Sequence, residues 1–289
     1  MADSKLKLYF PGKLHRMLEF FTNSYFIESD LGGCDFIFFN EFLLGRKNMN
    51  RILKGISNSF RGTGKKVTAM VIHDYEQQYR HFDNMILLRV SVRASKKREN
   101  EILVPYLFEC KDEAFSPSEA TDLPRVGFCG YTRFRRRIIK TFESSTQVES
   151  NFIERNRFWG GDPHNPNLVN SFYENLRTNE FNICQRGKGN YSMRFYQTLA
   201  VGRIPVLVNT DMELPLQSEI LWNEFIVFEN SERECVERLI ECHREGKTEA
   251  MQARCAEVFR TRLSRHVFIE HLSKQLRERF LPVTQRYAA

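Results

Sequence analysis

The sequence lacks an apolar run of about 18 residues, the length that a helix needs to cross a bilayer. Its first seven residues also lack the apolar core of a secretory signal peptide, so we expect a cytoplasmic protein without a membrane span. With 15 glycines and 9 prolines among 289 residues, a collagen-like or low-complexity chain is excluded. The seven cysteines are irregularly spaced and form no Cys-x-x-Cys pair, which predicts reduced thiols and neither a disulfide framework nor a zinc site.

The chain is rich in aromatic bulk and positive charge. Its 25 phenylalanines and 10 tyrosines exceed what a disordered chain carries, and its length suits two modest domains. The formal net charge of +7 favours an anionic partner, which can be a nucleic acid, a phosphorylated small molecule or an acidic surface. Charge alone does not choose among these partners, so a basic nucleic-acid-binding protein stands as the alternative function.

Strand-like apolar runs alternate with helical segments along the whole chain, which is typical of βαβ units and a mostly parallel sheet. A polar stretch with two prolines, residues 111–124, is the candidate linker. We therefore predict an α/β fold with two Rossmann-like domains facing a cleft. The domains span residues 1–115 and 116–265, and a last helical segment, 266–289, is expected to pack back on the first domain. The predicted helices are 12–26, 48–60, 135–145, 167–179, 192–201 and three between 233 and 281; the predicted strands are 34–40, 67–74, 86–92, 101–106, 125–130, 147–154, 180–185, 203–209 and 225–229.

The most informative segment, residues 180–215, has the pattern of a strand, a glycine loop, a helix and a second strand. Gly187 and Gly189 permit a tight turn and a close approach of the backbone to a ligand. Ser192 is placed to cap the helix, and the free N–H groups of a helix start attract phosphate. The cationic donors beside them are Arg186, Lys188 and Arg194. Because ligands of open parallel sheets bind beyond the carboxyl ends of the strands, the segment predicts a phosphate site. A solvated basic loop is the alternative.

The same segment resembles the signature of the exostosin-type glycosyltransferases. That signature has a strand ending in Cys-Pro-Arg-Gly, a Ser-x-Arg helix start, then Gly-Cys-Ile-Pro-Val, an acidic residue and Leu-Pro. This chain has Cys184-Gln-Arg186-Gly187, Ser192-Met-Arg194, Gly202-Arg-Ile-Pro-Val206, Asp211 and Leu214-Pro215. A weaker similarity extends over residues 20–230. The chain looks most like the compact exostosin-like enzymes of bacteria or of large viruses that infect algae.

The resemblance implies a GT-B fold and transfer of a sugar, with inversion, from a nucleotide-sugar donor to a hydroxyl of a glycan or glycoprotein. The donor would be a UDP-sugar, with UDP-xylose as the first guess, and the 1–115 domain would hold the acceptor. The resemblance also implies catalysis without a metal, in keeping with the absence of an Asp-x-Asp motif from the sequence. No cofactor and no nucleic-acid partner are expected, since the nucleotide-sugar is a substrate.

The resemblance places the donor at Arg186, Gly187, Ser192 and Arg194. Gln197 stands where the family commonly has a carboxylate that bonds the donor ribose. Arg203 stands where the family has a cysteine, and we expect it to bind the diphosphate or the acceptor. Further donor-binding candidates are Arg133, from a basic cluster that a solvated face also explains, and Glu229, which follows a strand and could contact the sugar or ribose.

An inverting transferase needs a general base that reaches the acceptor hydroxyl. Asp74 and His73 end the predicted strand at 67–74, at the edge of the sheet where ligands bind. We take Asp74 as the first candidate and His73 as the second. A strand-end aspartate that only caps the following helix is the alternative.

Overall fold

The computed structural model of the chain divides into two compact units. Unit 1 consists of Met1–Leu107 and Arg265–Ala289, and unit 2 consists of Phe108–Ser264. The structure describes residues 5–11, 25–43, 48–71, 76–105 and 115–282, and for residues 40–43 it describes the backbone only. Each unit contains one parallel sheet with helices, which confirms the predicted α/β class and its two Rossmann-like units. The cleft between the domains stays a prediction.

The elements follow one another in a regular alternation. The strands are β1 Leu6–Tyr9, β2 Phe26–Glu28, β3 Phe36–Leu43, β4 Lys66–Val71, β5 Met85–Arg89, β6 Glu101–Leu103, β7 Arg125–Tyr131, β8 Glu149–Arg155, β9 Phe181–Ile183, β10 Ile204–Val208 and β11 Val227–Glu229. The α-helices are α1 Met49–Phe60, α2 Arg136–Glu143, α3 Pro166–Thr178, α4 Met193–Ala200, α5 Glu232–Arg244, α6 Thr248–Val258 and α7 Arg265–Phe280. None of the helices in these described segments has both the length and the apolar composition that a bilayer crossing requires.

The sheet of unit 1 runs in the order β2-β1-β3-β4-β5-β6, and its strands pair in parallel. Helix α1 buries Met49, Leu53 and Ile56, whose spacing of four and three residues places them on one helical face. That face packs in one core cluster with Val67 of β4 and Leu87 of β5. The burial of this stripe explains why residues 49–60 fold as a helix.

Unit 1 also includes α7, although this helix follows unit 2 in the chain. Its buried residues include Phe268, Leu272 and Leu276, one helical turn apart, and they form its apolar face. The hydroxyl of Tyr25 donates a hydrogen bond to Glu270 of α7 over 2.7 Å. The last helix is therefore tied to the segment that immediately precedes β2.

The sheet of unit 2 runs in the order β11-β10-β9-β7-β8, and its strands also pair in parallel. The chain leaves β7 toward β8 on one side and returns to β9 on the other side of β7. This reversal is a topological switch point, and the crevice beyond the carboxyl ends of the two strands at such a point is where open α/β sheets bind ligands. The switch point of unit 2 lies between β7 and β9.

The structure corrects the predicted elements mainly near the chain start. The sequence did not predict β1, and the predicted helix over 12–26 is wrong at its end because Phe26 begins β2 and pairs with Leu6. Residues 12–24 of that predicted helix lie outside the described residues. The strands and helices predicted after residue 125 are confirmed to within about two residues at most ends.

Candidate functional site

Helix α4 begins at the switch point of unit 2, directly after the loop that follows β9. Ser192 occupies the N-cap position in an extended conformation, with φ −136° and ψ 129°, as predicted. Its side chain makes no capping hydrogen bond. The N–H of Phe195 donates to the carbonyl of Ser192 over 3.0 Å, so the N–H groups of Met193 and Arg194 are the ones at this helix start that an anion could use.

Arg194, the second residue of α4, spans the carboxyl ends of the two switch-point strands. Its Nη2 donates a hydrogen bond of 2.7 Å to the carbonyl of Cys129 in β7, and Nη1 lies 3.5 Å from the carbonyl of Ile183 in β9. The guanidinium also lies 4.5 Å from the ring centroid of Phe128. These contacts fix the start of α4 against β7 and β9.

The charge of Arg194 is buried without an ionic partner in the described segments. The side chain is 8% exposed, its Nε has no hydrogen-bond partner, and it forms no salt bridge with a described carboxylate. Burial lowers the pKa of the Arg194 guanidinium, and the nearby cation Arg155 lowers it further. A buried cation of this kind is costly until an anion approaches it, so the switch point is electrostatically prepared for a negatively charged ligand.

A second buried arginine, Arg135, bridges the same two strand ends from the start of α2. Its Nε donates to the carbonyl of Gln185 over 2.8 Å, and its Nη1 donates to the carbonyl of Tyr131 over 2.9 Å. Both Arg135 and Arg194 contribute positive charge near the thiol of Cys184. Burial dominates there and raises the pKa of this thiol to about 11, so Cys184 is a neutral core group.

The loop after β9 is held by side-chain hydrogen bonds to the loop after β10. Arg186 donates from Nη1 to Oδ1 of Asn190 over 3.0 Å. The same Oδ1 accepts a 2.5 Å hydrogen bond from Thr210, while Nδ2 of Asn190 donates to the carbonyl of Asp211. Asn190 therefore fixes the half-buried Arg186 side chain beside the start of α4.

Two glycines leave the space that the buried arginines occupy. Gly130 has φ +154°, and a Cβ at this position would lie 2.5 Å from Nη2 of Arg194. A Cβ at Gly187 would lie 3.1 Å from Nη2 of Arg135. Gly187, one of the two glycines predicted to favour a phosphate loop, thus also leaves room for the Arg135 guanidinium.

Three further predicted donor-binding residues, Gln197, Arg133 and Glu229, lie at different distances from the start of α4. Gln197 is buried in α4, one turn beyond Arg194. Arg133 is exposed in the loop between β7 and α2, with its guanidinium 5.8 Å from the ring of Phe134. Glu229 is the last residue of β11, which is two strands away from β9. It therefore lies about 10 Å from the end of β9, measured along the carboxyl edge of the sheet. Burial and nearby carboxylates raise the pKa of Glu229.

The structure does not bring Arg203 to this edge of the sheet. Arg203 immediately precedes β10 and so lies at the amino ends of the strands, about 16 Å from the carboxyl ends. Its guanidinium donates to the carbonyls of Arg177 and Ser116 over 2.9 Å each, and burial lowers its pKa to about 10. These bonds join α3 to the start of unit 2, so we leave Arg203 out of the donor site.

Asp74 and His73, the predicted general base candidates, lie outside the described residues. Arg135 lies at the candidate site, and the sequence reasoning missed it because it chose Arg133 from the same basic cluster. The signal was available, since Arg135 lies three and seven residues before Ile138 and Phe142, on the buried face of α2. The cluster is therefore not one continuous basic surface: Arg135 points inward, and Arg137 pairs with Glu232 over 3.1 Å.

Two groups of observations concern metal ions and thiols. Within the described residues, no three His, Cys, Asp or Glu side chains are grouped closely enough to hold a metal ion. Six cysteines of the described segments are free and buried, in agreement with the expected reduced thiols. The predicted absence of a catalytic metal is a separate matter and stays a prediction.

Comparison with solved structures gives glycosyltransferases at low similarity. A glycosyltransferase from Rickettsia africae ESF-5 has a TM-score of 0.45 and 10% identity, over 95% of this chain and 76% of its own. The pneumococcal O-GlcNAc transferase GtfA, solved with UDP and GlcNAc, has a TM-score of 0.37 and 9% identity, over 86% and 46%. The calicheamicin glycosyltransferase CalG4 has a TM-score of 0.34 and 10% identity, over 96% and 100%. Likeness at these TM-scores is too low to assign a function.

Comparison of sequences is more decisive for unit 2. No curated protein matches the chain significantly. The family model of the exostosin GT47 domain matches residues 127–241, from the middle of β7 to the middle of α5. This range contains the switch point, both buried arginines and the whole signature segment. Residues 127–241 are therefore similar to the exostosin GT47 domain, the family that the signature segment resembles.

Proposed function

We propose that this protein transfers a sugar from a nucleotide-sugar donor to a hydroxyl of a glycan or glycoprotein, and that the donor diphosphate binds at the switch point of unit 2. One observation carries the proposal. Arg194 places a buried positive charge without a described carboxylate partner at the start of α4, between the carboxyl ends of β7 and β9. A diphosphate is the anion of a nucleotide-sugar, and both the helix start and the arginines favour it.

We assign two roles to the described residues: some contact the diphosphate directly, and others lie beneath it and contribute positive charge. The N–H groups at the start of α4, the Ser192 hydroxyl and the half-buried Arg186 are the proposed contacts of the diphosphate. Arg194 and Arg135 are proposed to act from beneath, because their hydrogen bonds go mostly to backbone carbonyls. A unit charge at 4 Å contributes about 4 kcal/mol at an effective dielectric constant of 20, so even support from beneath is substantial.

The proposed reaction is a single displacement with inversion. The acceptor oxygen bonds to the anomeric carbon while the bond from that carbon to the phosphate oxygen breaks, and the electron pair leaves with the nucleoside diphosphate. The acceptor proton passes to a general base, for which Asp74 and then His73 are the candidates. The arginines and the helix start stabilise the negative charge that develops on the leaving diphosphate, so no metal is required for that role.

The finer identity of the donor rests on the family resemblance. UDP is the proposed nucleoside diphosphate and xylose is the first candidate sugar. Gln197 is proposed to bond the donor ribose as a neutral amide, and Glu229 to bond a hydroxyl at the far end of the site. Glu229 suits this role because its side chain lies at the same sheet edge as α4.

The test is a titration of the purified protein with UDP, GDP and UDP-xylose, followed by melting temperature and by transfer to a xylo-oligosaccharide, with and without EDTA. A ligand that binds the native state raises the melting temperature. We expect stabilisation by UDP and one UDP-sugar that EDTA does not alter. Loss of the effect in EDTA would contradict the proposed metal independence, and no shift with any nucleotide would contradict the donor site.

The variant Arg186→Ala separates binding from folding, because this side chain is only half-buried. We expect UDP affinity to fall about tenfold, the cost of one charge-assisted hydrogen bond, and the melting temperature of the free protein to fall only slightly, because the 3.0 Å hydrogen bond to Asn190 is lost. Lys140→Ala is the matched control, since it removes an exposed positive charge of α2. Equal behaviour of the two variants would remove Arg186 from the site.

A further inference from the structure

Two exposed phenylalanines pack against the half-buried Tyr131 at the carboxyl end of β7, and an exposed tryptophan follows one of them in the chain; we call Tyr131, Phe134, Phe158 and Trp159 the aromatic platform. Phe134 is 43% exposed, and Phe158 and Trp159 are each 51% exposed. The rings of Tyr131 and Phe158 lie 4.7 Å apart, and those of Tyr131 and Phe134 lie 6.3 Å apart in a T-shaped arrangement. No other phenylalanine or tryptophan in the described segments is exposed. Such a concentration of apolar rings in water marks a binding surface.

The aromatic platform is continuous with the arginine site. Tyr131 ends β7, and its backbone carbonyl accepts the 2.9 Å hydrogen bond from Arg135. Tyr131 is also opposite Arg155 in the register of β7 and β8, and Phe158 follows Arg155 by three residues. The platform therefore lies about one strand spacing from the switch point, on the side of β8.

The backbone holds Trp159 in an unfavourable conformation. Trp159 has φ +56°, which bulky side chains rarely adopt, and Gly160 and Gly161 follow with φ +69° and +100°. A Cβ at Gly160 would lie 2.9 Å from Leu168 of α3, so the turn is packed against that helix. Strained backbone held by its surroundings concentrates at ligand sites, and here it keeps an indole at the surface.

The positive charge beside the aromatic platform indicates which ligand would bind there. A nucleoside diphosphate carries an anionic group and a flat aromatic group on one small molecule, separated by a ribose. The arginine site fits the first group, and exposed rings stack on the flat face of any base. We propose that the aromatic platform stacks the nucleobase of the donor, with Phe158 and Trp159 as the stacking residues. This inference rests on the proposed function, because it takes the diphosphate as bound at the switch point.

Tryptophan fluorescence tests the inference directly. The chain has two tryptophans, and the other, Trp222, is 3% exposed with its indole N–H donating to the carbonyl of Pro215. We expect UDP to quench the emission of Trp159, and inorganic pyrophosphate to compete with UDP without quenching. Trp159→Phe should abolish the quenching while UDP still binds.

A binding comparison supplies the second readout. The double variant Phe158→Ala/Trp159→Ala should weaken UDP about 5- to 150-fold, the range of base stacking, and change pyrophosphate affinity less than about twofold. Leu221→Ala is the control, since this side chain of unit 2 is 70% exposed outside the platform. It should leave both affinities unchanged.

Each other outcome overturns the inference. Equal weakening of UDP and pyrophosphate in the double variant would mean that the turn supports the arginine site and stacks nothing. Unchanged UDP affinity would mean that the base binds elsewhere. Quenching by a xylo-oligosaccharide but not by UDP would assign the aromatic platform to the acceptor. Absence of both UDP and pyrophosphate binding in the unaltered protein would instead refute the proposed function itself.

Discussion

Gly130→Ala tests the claim that the buried guanidinium of Arg194 organises the switch point. The added Cβ would lie 2.5 Å from Nη2, so the guanidinium must move and its 2.7 Å hydrogen bond to Cys129 must break. Losing a hydrogen bond to a charged group costs about 1.5–3 kcal/mol. Placing alanine at φ +154° costs about 1–3 kcal/mol more. Allowing for partial relaxation, we expect the free energy of unfolding to fall by about 3–5 kcal/mol.

Urea unfolding, followed through the buried Trp222, measures this loss, and a UDP titration of the folded variant measures the effect on the site. Gly246→Ala is the matched control, because Gly246 has φ +66° and a Cβ there would meet nothing within 4 Å. The Gly246→Ala variant introduces backbone strain but no clash, so its free energy of unfolding should fall by about 1–2 kcal/mol and its UDP affinity should not change. The reasoning is refuted if Gly130→Ala is as stable as Gly246→Ala and binds UDP as the unaltered protein does.

Two further predictions concern buried and half-buried charges. Arg89 and Glu101 form a 2.8 Å ion pair with both side chains 2% exposed, so Arg89→Met should cost about 3–5 kcal/mol in urea unfolding by stranding a buried carboxylate. Arg89→Met/Glu101→Leu should recover much of that loss, and a double variant less stable than the single one would contradict this account. The raised pKa of Glu229 means that burial penalises its carboxylate, so this penalty is absent at low pH and appears as the pH rises through the raised pKa. Glu229→Gln should therefore raise the melting temperature at about pH 7 and leave it nearly unchanged at about pH 4; an equal change at both pH values would refute the assignment.

Sequence reasoning succeeded for the fold of unit 2 because each element there carries a strong local signal. The run Arg125–Gly130 is short and mostly apolar, as a buried strand is. The stretch 192–201 has an N-cap serine and a helical period, and glycines separate such strand signals from helix signals. It missed β1 and the start of β2, which have four and three residues. Strands this short depend on pairing with each other, and pairing between distant segments leaves no periodic pattern in either one.

Sequence reasoning located the elements around the candidate site but not the direction of every side chain there. The loop after β9 and the cap at Ser192 were located from glycines and a serine, whose backbone preferences are local. The choice of Arg133 over Arg135 overlooked the helical spacing of Arg135 to the buried residues Ile138 and Phe142 of α2. Arg203 was misplaced for a related reason: one residue before a strand is at the opposite edge of the sheet from one residue after it.

The membership of α7 in unit 1 has a consequence for synthesis. Unit 2 is continuous in the chain, whereas unit 1 is completed only by Arg265–Ala289. A ribosome that adds about 5–20 residues per second therefore releases all of unit 2 before α7, which accepts the hydrogen bond from Tyr25, has been synthesised. Unit 1 therefore cannot be completed before unit 2, although it contains the amino-terminal residues, and we expect unit 2 to fold first. Truncation before Arg265 should leave an incomplete unit 1 attached to an intact unit 2, which makes unit 2 the natural piece to express alone.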